Sequence, residues 1–329
     1  MENHENKILI DWISFTSKID SVSSFIDLLG LSKLSFTLCN GAQGYRSRVS
    51  FDGINIHYDH RINEGVWVEM SGKGCRAFET HSDVDFFYLF FIILSEPESY
   101  HLTRLDVAYD CFDDTIPINT FFNDIRRGNF VTRFDSRKGV HYEGHPHDEG
   151  LSLYFGSMKS DIRFRCYDKA HERGYMPDDP DYFSWVRFEI QLRDDRALAF
   201  IRQLDEDNVG TLFRGVVSNY LRIVVPSDDS NRSRWKTKKW WSRFTEDVEK
   251  IRLFTKCDSD YNLAKCEDFV YHHCGNALDT LLSIKGLETF FKELKKYKPD
   301  RSERYTKLIN DNGGKTIDYI SEFEKTKRR

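Results

Sequence analysis

Two stretches of strict alternation constrain this chain more than any other feature. From Ile162 to Tyr167 and from Val186 to Leu192, every second residue is apolar, and those between are charged, polar or tyrosine. A period of two belongs to a β-strand, whose successive side chains leave opposite faces. The first strand therefore carries Arg163, Arg165 and Tyr167 on one face, with Lys169 just beyond, and the second carries Arg187, Glu189 and Gln191. A phenol oxygen, cationic side chains and a carboxylate on neighbouring strands suit attack on a phosphodiester.

Further strands are expected over Ile8–Phe15, Val66–Met70, Leu102–Asp110, Phe130–Phe134 and Leu151–Phe155. Arg48–Tyr58 reads as a hairpin, because Asp52-Gly53 supplies the positive φ angles of a tight turn. Helices are expected over Asp83–Leu94, Ile118–Arg127 and Asp194–Leu204. Ser71-Gly72-Lys73-Gly74 precedes a further helix start and reads either as a small amide nest for a phosphate or as a plain turn. Strands mixed with helices and hairpins give an α+β class with largely antiparallel sheets and flanking helices. A polar, linker-like stretch at Pro226–Asn231 gives way to helical periodicity over Trp240–Leu253, Ala264–Ser283 and Leu287–Lys296. The expected division is residues 1–225 and a helical part, 226–329.

With 329 residues, 40% of them apolar, the chain can bury a substantial core. Its formal net charge of −5 removes a bulk electrostatic grip on nucleic acid, so such contacts must come from local basic patches. One lies between Asn231 and Arg243, with six basic residues and no acidic one. The longest apolar stretch, Phe86–Leu94, has nine residues, against roughly twenty for a membrane span. The polar N-terminus shows no secretory pattern, and the seven cysteines form no CxxC pair. Both point to a reduced, cytoplasmic setting without membrane association.

Six segments in order, ILIDWISF, VWVEMSGKGCRAFE, TRLDVAYD, LYFGSMKSDIRFRCYDKAHE, WVRFEIQLRDDRA and WKTKKWWSRF, cover most of residues 8 to 245. Through them the chain resembles the replication initiation factor family (Rep_trans), the initiators of rolling-circle plasmids and filamentous phages and the relaxases of some conjugative elements. The resemblance implies a nicking-closing enzyme for DNA in residues 1–225, with DNA binding or oligomerisation in the helical part. Its tyrosine would attack one strand at an origin, become linked to the 5′ phosphate and free a 3′ hydroxyl. Relaxase members often carry an N-terminal helix-turn-helix, whereas this chain opens on its first strand, which inclines it to the replication branch. The alternatives are a conjugative relaxase, a DNA-binding copy-control protein without catalysis, and a metallophosphodiesterase that uses water.

Tyr167, in the YDK segment, is the expected nucleophile, with Tyr154, Tyr175 and Tyr182 as the alternatives. A phenol with a pKa of about 10 needs a cation beside it, and Lys169, Arg165 and a divalent ion are expected to supply the field. Asp106, Asp110 and Glu189 are the candidate ligands for Mg²⁺ or Mn²⁺, with structural pairing to Arg104 and Arg187 as the alternative. On a straight strand Asp106 and Asp110 stand about 13 Å apart, so sharing one ion requires a bend. His141, His145 and His147 form a rival site, although Gly144, Pro146, Asp148 and Gly150 around them read as a solvated loop. Cys257, Cys266 and Cys274, with His272 and His273, lack zinc-finger spacing.

Contacts to the cut strand are expected from Lys159, Arg163, Arg165 and Arg187. Further contacts are expected from Arg232, Arg234, Lys236, Lys238 and Lys239, interleaved with Trp235, Trp240 and Trp241. An amphipathic helix with its tryptophans in the core is the other reading of that run. There is no Walker lysine-serine pair, so unwinding would fall to a host helicase. A homodimer would suit origins built as inverted repeats.

Overall fold

The computed structural model describes residues 5–18, 21–61, 65–135, 139–144, 150–176, 179–180, 182–205, 207–248, 263, 267, 270–271, 275–297, 309–310 and 312–313. The expected ligands His145, His147, Cys257, Cys266, Cys274, His272 and His273 lie outside these residues. By packing, the chain divides into two units, Met1–Lys256 and Cys257–Arg329.

The first unit contains β1 (Lys7–Ser17), β2 (Thr37–Asn40), β3 (Tyr45–Phe51), β4 (Ile54–His60), β5 (Val66–Met70) and β6 (Tyr100–Cys111). It continues with β7 (Phe130–Thr132), β8 (Val140–Glu143), β9 (Ser152–Phe155), β10 (Ile162–Asp168), β11 (Val186–Arg193) and β12 (Leu221–Ile223). Ten of them form one sheet, in the order β2-β3-β4-β5-β1-β6-β11-β10-β9-β8, and its ladders are antiparallel. The expected α+β, largely antiparallel class is what the chain adopts. The β3–β4 hairpin turns at Asp52 and Gly53, with φ of 44° and 92°. The run at 130–134 does not join the large sheet; β7 pairs with β12 in a sheet of its own.

Alternation gives the large sheet one apolar face. Ile8, Ile10, Ile13 and Phe15 of β1, Val107 and Tyr109 of β6, Phe164 of β10, and Phe188 and Ile190 of β11 lie in the core. Between Ile10 and Trp12 the β1–β6 register shifts by an inserted residue, Asp11. That bulge lets the apolar residues pass from even to odd numbers and still face the same way.

Helices α1 (Val22–Leu28), α2 (Gly72–His81), α3 (Phe86–Ser95) and α4 (Ile118–Arg126) supply Phe25, Phe78, Phe90 and Phe121 to this core. After the one-turn α5 (Lys169–Glu172), helices α6 (Asp194–Ile201), α7 (Val209–Tyr220) and α8 (Lys239–Val248) add Phe200, Phe213 and Phe244. The unit thus runs past the polar stretch at 226–231, because Trp241 and Phe244 of α8 are buried against Phe188 at centroid distances of 6.4 and 5.6 Å. Trp240 and Trp241 follow the core reading: both pack on Phe121, at 5.3 and 5.6 Å. In the second unit α9 (Gly275–Lys285) and α10 (Leu287–Tyr297) pack on each other across Gly286, whose φ is 72°. Among the described residues, no helix is long and apolar enough to cross a membrane.

Phe188 is fully buried and ties β11 to α7 and α8, with Phe213 6.0 Å away. Phe188→Ala is expected to lower the unfolding free energy by about 3–5 kcal/mol, read as a shift of the urea midpoint by circular dichroism.

Candidate active site

The opposite face of the sheet is polar, and its registers set the site. One row runs Ala108–Glu189–Arg165–Tyr154 across β6, β11, β10 and β9, and the next runs Asp110–Arg187–Tyr167–Ser152. Tyr167 and Glu189 are thereby diagonal neighbours. The Tyr167 hydroxyl donates to Glu189 Oε1 at 2.7 Å. Lys169 Nζ donates to the same phenol oxygen at 3.2 Å and also to Glu172. The Arg165 guanidinium lies 3.8 Å from the Tyr167 ring centre, covering it, and Tyr167 is only 2% exposed.

Lys169 reaches the phenol because the chain turns from strand to helix at that point. Asp168 caps α5 by accepting from the His171 amide, and the Lys169 and Ala170 amides both donate to the Trp185 carbonyl. The lysine is buried, and Glu172 of the same turn balances its charge. Glu172 also lies 3.6 Å from Arg165.

The electrostatics differ from the sequence expectation. Lys169 and Arg165 are in place, yet burial, and then the Glu189 carboxylate, push the Tyr167 phenol well above its ordinary pKa. The resting group is a neutral phenol. Glu189 is raised to about 7, by burial first and the Asp11 charge second, against the pull of Tyr167, Arg165 and Arg187. A carboxylate with that proton affinity, bonded to a phenol, has the properties a general base needs near neutral pH.

The three expected metal ligands do not converge. Arg104 holds Asp106 through two bonds, of 2.9 and 2.5 Å. Arg187 holds Asp110 through two more, of 2.6 and 2.8 Å, and reaches Asp11 at 2.7 Å. Asp106 faces Gln191 and Asp110 faces Arg187 along one ladder, so β6 keeps them apart without a bend between them. Among the described residues, no group of three or more His, Cys, Asp or Glu side chains is placed to hold an ion. As arranged, this donor set does not fit Mg²⁺ or Mn²⁺, because two of its acids already carry an arginine each and the third carries the phenol.

The expected DNA-binding residues separate into groups. Arg163 and Arg165 flank the Tyr154 ring at 5.0 and 5.8 Å and share the face of Tyr167. Lys159 lies in the exposed turn before β10. Arg187 is 5% exposed and engaged by Asp110 and Asp11, which removes it from direct contact with phosphates. Lys238 is held at 2.7 Å by the buried Asp124 of α4, and Arg234 lies 3.6 Å from Asp229. Arg232 leans on Trp235 at 5.7 Å. Lys236 and Lys239 complete a run that leads into α8 on the helix-covered face, away from Tyr167.

Ser71–Gly74 is a packing device. A side chain at Gly74 would strike the Gly53 carbonyl, and one at Gly72 would place its Cβ 2.8 Å from Asp11 Oδ1. The Asp11 carboxylate therefore faces the start of α2, where a phosphate would have had to sit. His141 bonds to Glu143 at 3.0 Å on the exposed β8. The pairing of Asp106 with Arg104 and of Asp110 with Arg187 is the alternative the sequence offered; Asp11 and Glu172 were passed over, although the phase change of β1 at Asp11 was an available signal.

Residues 100–297 match the family model described as Replication initiation factor, and residues 7–91 match that of the Rolling Circle replication initiation protein N-terminal domain. The chain is 29% identical over 286 residues to "Putative DNA relaxase NicK" of Bacillus subtilis (strain 168), spanning 83% of this chain and 80% of that one. A solved rolling circle replication initiator protein from Geobacillus stearothermophilus superposes with a TM-score of 0.68 at 32% identity, over 77% of this chain and 100% of that chain.

Glu189 yields a stability prediction. Its folded pKa of about 7 lies above the ordinary 4.5, so its contribution is full below pH 4.5 and is lost as pH rises through 7. Glu189→Gln, which does not titrate, should melt close to the parent near pH 4 and above it at pH 8, by on the order of 1–3 kcal/mol. Melting curves across that range would show equal offsets if the raised proton affinity were absent.

Proposed function

The chain belongs to the replication initiation factor family, and from that premise we propose that it is a DNA nicking enzyme which initiates rolling-circle replication through a covalent tyrosyl intermediate. The observation that carries the mechanism is the 2.7 Å bond from the Tyr167 hydroxyl to Glu189. In the proposed step the Tyr167 oxygen attacks the phosphorus of a single-stranded phosphodiester while Glu189 takes the phenol proton. The phosphorus–oxygen bond to the 3′ carbon breaks, and the departing oxygen takes up a solvent proton to become a 3′ hydroxyl. The 5′ phosphate stays on Tyr167. Closing reverses each bond change, with Glu189 returning its proton.

Lys169, bonded to the same oxygen, stabilises negative charge as the proton leaves. Arg165 is the covering group at rest. A phosphate competes for its guanidinium as a charge-assisted partner, and movement of Arg165 onto that phosphate uncovers the phenol. Arg163 and Lys159 extend the same basic edge for the strand. Lys236 and Lys239 are left for flanking duplex. Unwinding by a host helicase and pairing of two copies on an inverted-repeat origin, in the cytoplasm, complete the reading.

Incubating the protein with a supercoiled plasmid bearing its origin should give a covalent protein–DNA band on a denaturing gel. Tyr167→Phe should lose that band and retain origin binding; a band that persists would move the nucleophile to another residue. The nicking rate should rise about tenfold per pH unit up to about pH 7 and then level, and Glu189→Gln should be slow and flat with pH. A parent profile already flat between pH 5.5 and 8 would remove Glu189 as the base.

A further inference from the structure

Beyond the end of β10, four aromatic rings gather beside the nucleophile. Trp185 immediately precedes β11, and its ring lies 6.0 Å from Lys169 Nζ and 5.7 Å from the Arg187 guanidinium. Phe183 stacks on it at 6.0 Å with 20° between the planes. Phe112 stands 5.4 Å from Trp185 and 6.1 Å from Phe183, and Tyr175 stands 5.0 Å from Phe183. Lys7 approaches the Phe112 ring at 5.7 Å.

These rings stand outside the main core. Phe112, Phe183 and Trp185 are half-buried and Tyr175 is 37% exposed, so together they keep an aromatic surface in solvent. Such a surface beside a reactive group marks a binding face more than a packing need. The Trp185 indole N–H is shielded from solvent and has no hydrogen-bond partner among the described residues, an unusual state for a buried donor.

The position dictates the ligand. Lys169 joins nucleophile and cluster, bonded to the Tyr167 oxygen and 6.0 Å from the Trp185 ring, so a nucleotide next to a phosphate at Tyr167 comes within reach of these rings. Aromatic faces among cations suit unpaired bases: the rings stack on base faces and the cations take the phosphates. A duplex hides its base faces, so the matching form is single-stranded. We propose that Tyr175, Phe183 and Phe112, backed by Trp185, form a stacking platform for the unpaired bases beside the scissile phosphate. The enzyme then grips its substrate through base faces as well as through charge. This inference rests on the nicking reading of Tyr167.

The test uses the full chain and fluorescence anisotropy with two labelled strands of about twelve nucleotides, an oligothymidylate and an abasic strand of equal phosphate count. The parent should bind the oligothymidylate about 5- to 150-fold more tightly than the abasic strand, the range for stacking of one base. Tyr175→Ala combined with Phe183→Ala should reduce that preference at least about fivefold while leaving the salt dependence of abasic binding unchanged. If the double variant does not fold, Tyr175→Ala alone, at an exposed position, should reduce the preference by a smaller factor. An undiminished preference in a folded variant, or none in the parent, overturns the platform and leaves the nicking reading standing. Failure of the parent to bind either strand overturns both.

Discussion

Arg187 bonds to acids from two other strands, and the polar face is organised around that bridge. Its guanidinium joins β11 to Asp110 of β6 and to Asp11 of β1, almost out of solvent. Removing the arginine from such a bridge costs about 3–5 kcal/mol, because buried carboxylates are left uncompensated. Two carboxylates against one guanidinium leave a negative surplus, and Glu189 two residues along β11 feels it: the Asp11 charge adds to burial in raising its proton affinity. Burial is the larger cause of the raised proton affinity of Glu189 and the Asp11 charge the second, and the β1 bulge that inserts Asp11 is what delivers that carboxylate.

The Tyr167–Glu189 pair is stable in the form that does not react. Burial makes an isolated phenolate expensive, and the structure answers with a shared proton instead of a preformed anion. In the proposed mechanism Tyr167 stays protonated and covered by Arg165 until a phosphate competes for that arginine. Chemistry is then confined to occasions when the substrate supplies the missing counter-charge. An enzyme that breaks strands has reason to keep its nucleophile unavailable between encounters.

The sheet was legible because period-two alternation survives through β10 and β11 and on either side of the β1 bulge, and the Asp52-Gly53 turn was legible because only a positive-φ pair closes so tight a hairpin. Tyr167 and Glu189 fall on matching faces of neighbouring strands, and it was the YDK segment of the family resemblance that singled out Tyr167 and, beside it, Lys169. What alternation does not encode is who pairs with whom. Asp106 and Asp110 look alike in a strand pattern whether they face a cation or an arginine, and the answer depends on Arg104 and Arg187. The tryptophans of WKTKKWWSRF were ambiguous for a similar reason. Trp241 is core because Phe188 and Phe121 lie within reach of α8, a long-range fact that a local charge pattern cannot carry. Asp11 was passed over because a bulge reads, in one dimension, as noise in the alternation.

The β10–β11 ladder pairs Arg165 with Glu189 and Tyr167 with Arg187, and side-chain direction in a strand flips with every residue. Inserting one residue inside either strand, unless a bulge absorbs it, would turn the phenol or the carboxylate into the apolar layer, whereas residues 174–184 between the strands carry neither group. Evolution can therefore lengthen, shorten or rewrite that connection to suit different target sequences. The strands themselves admit change by substitution, by gains and losses in pairs, or by a bulge of the kind β1 carries at Asp11.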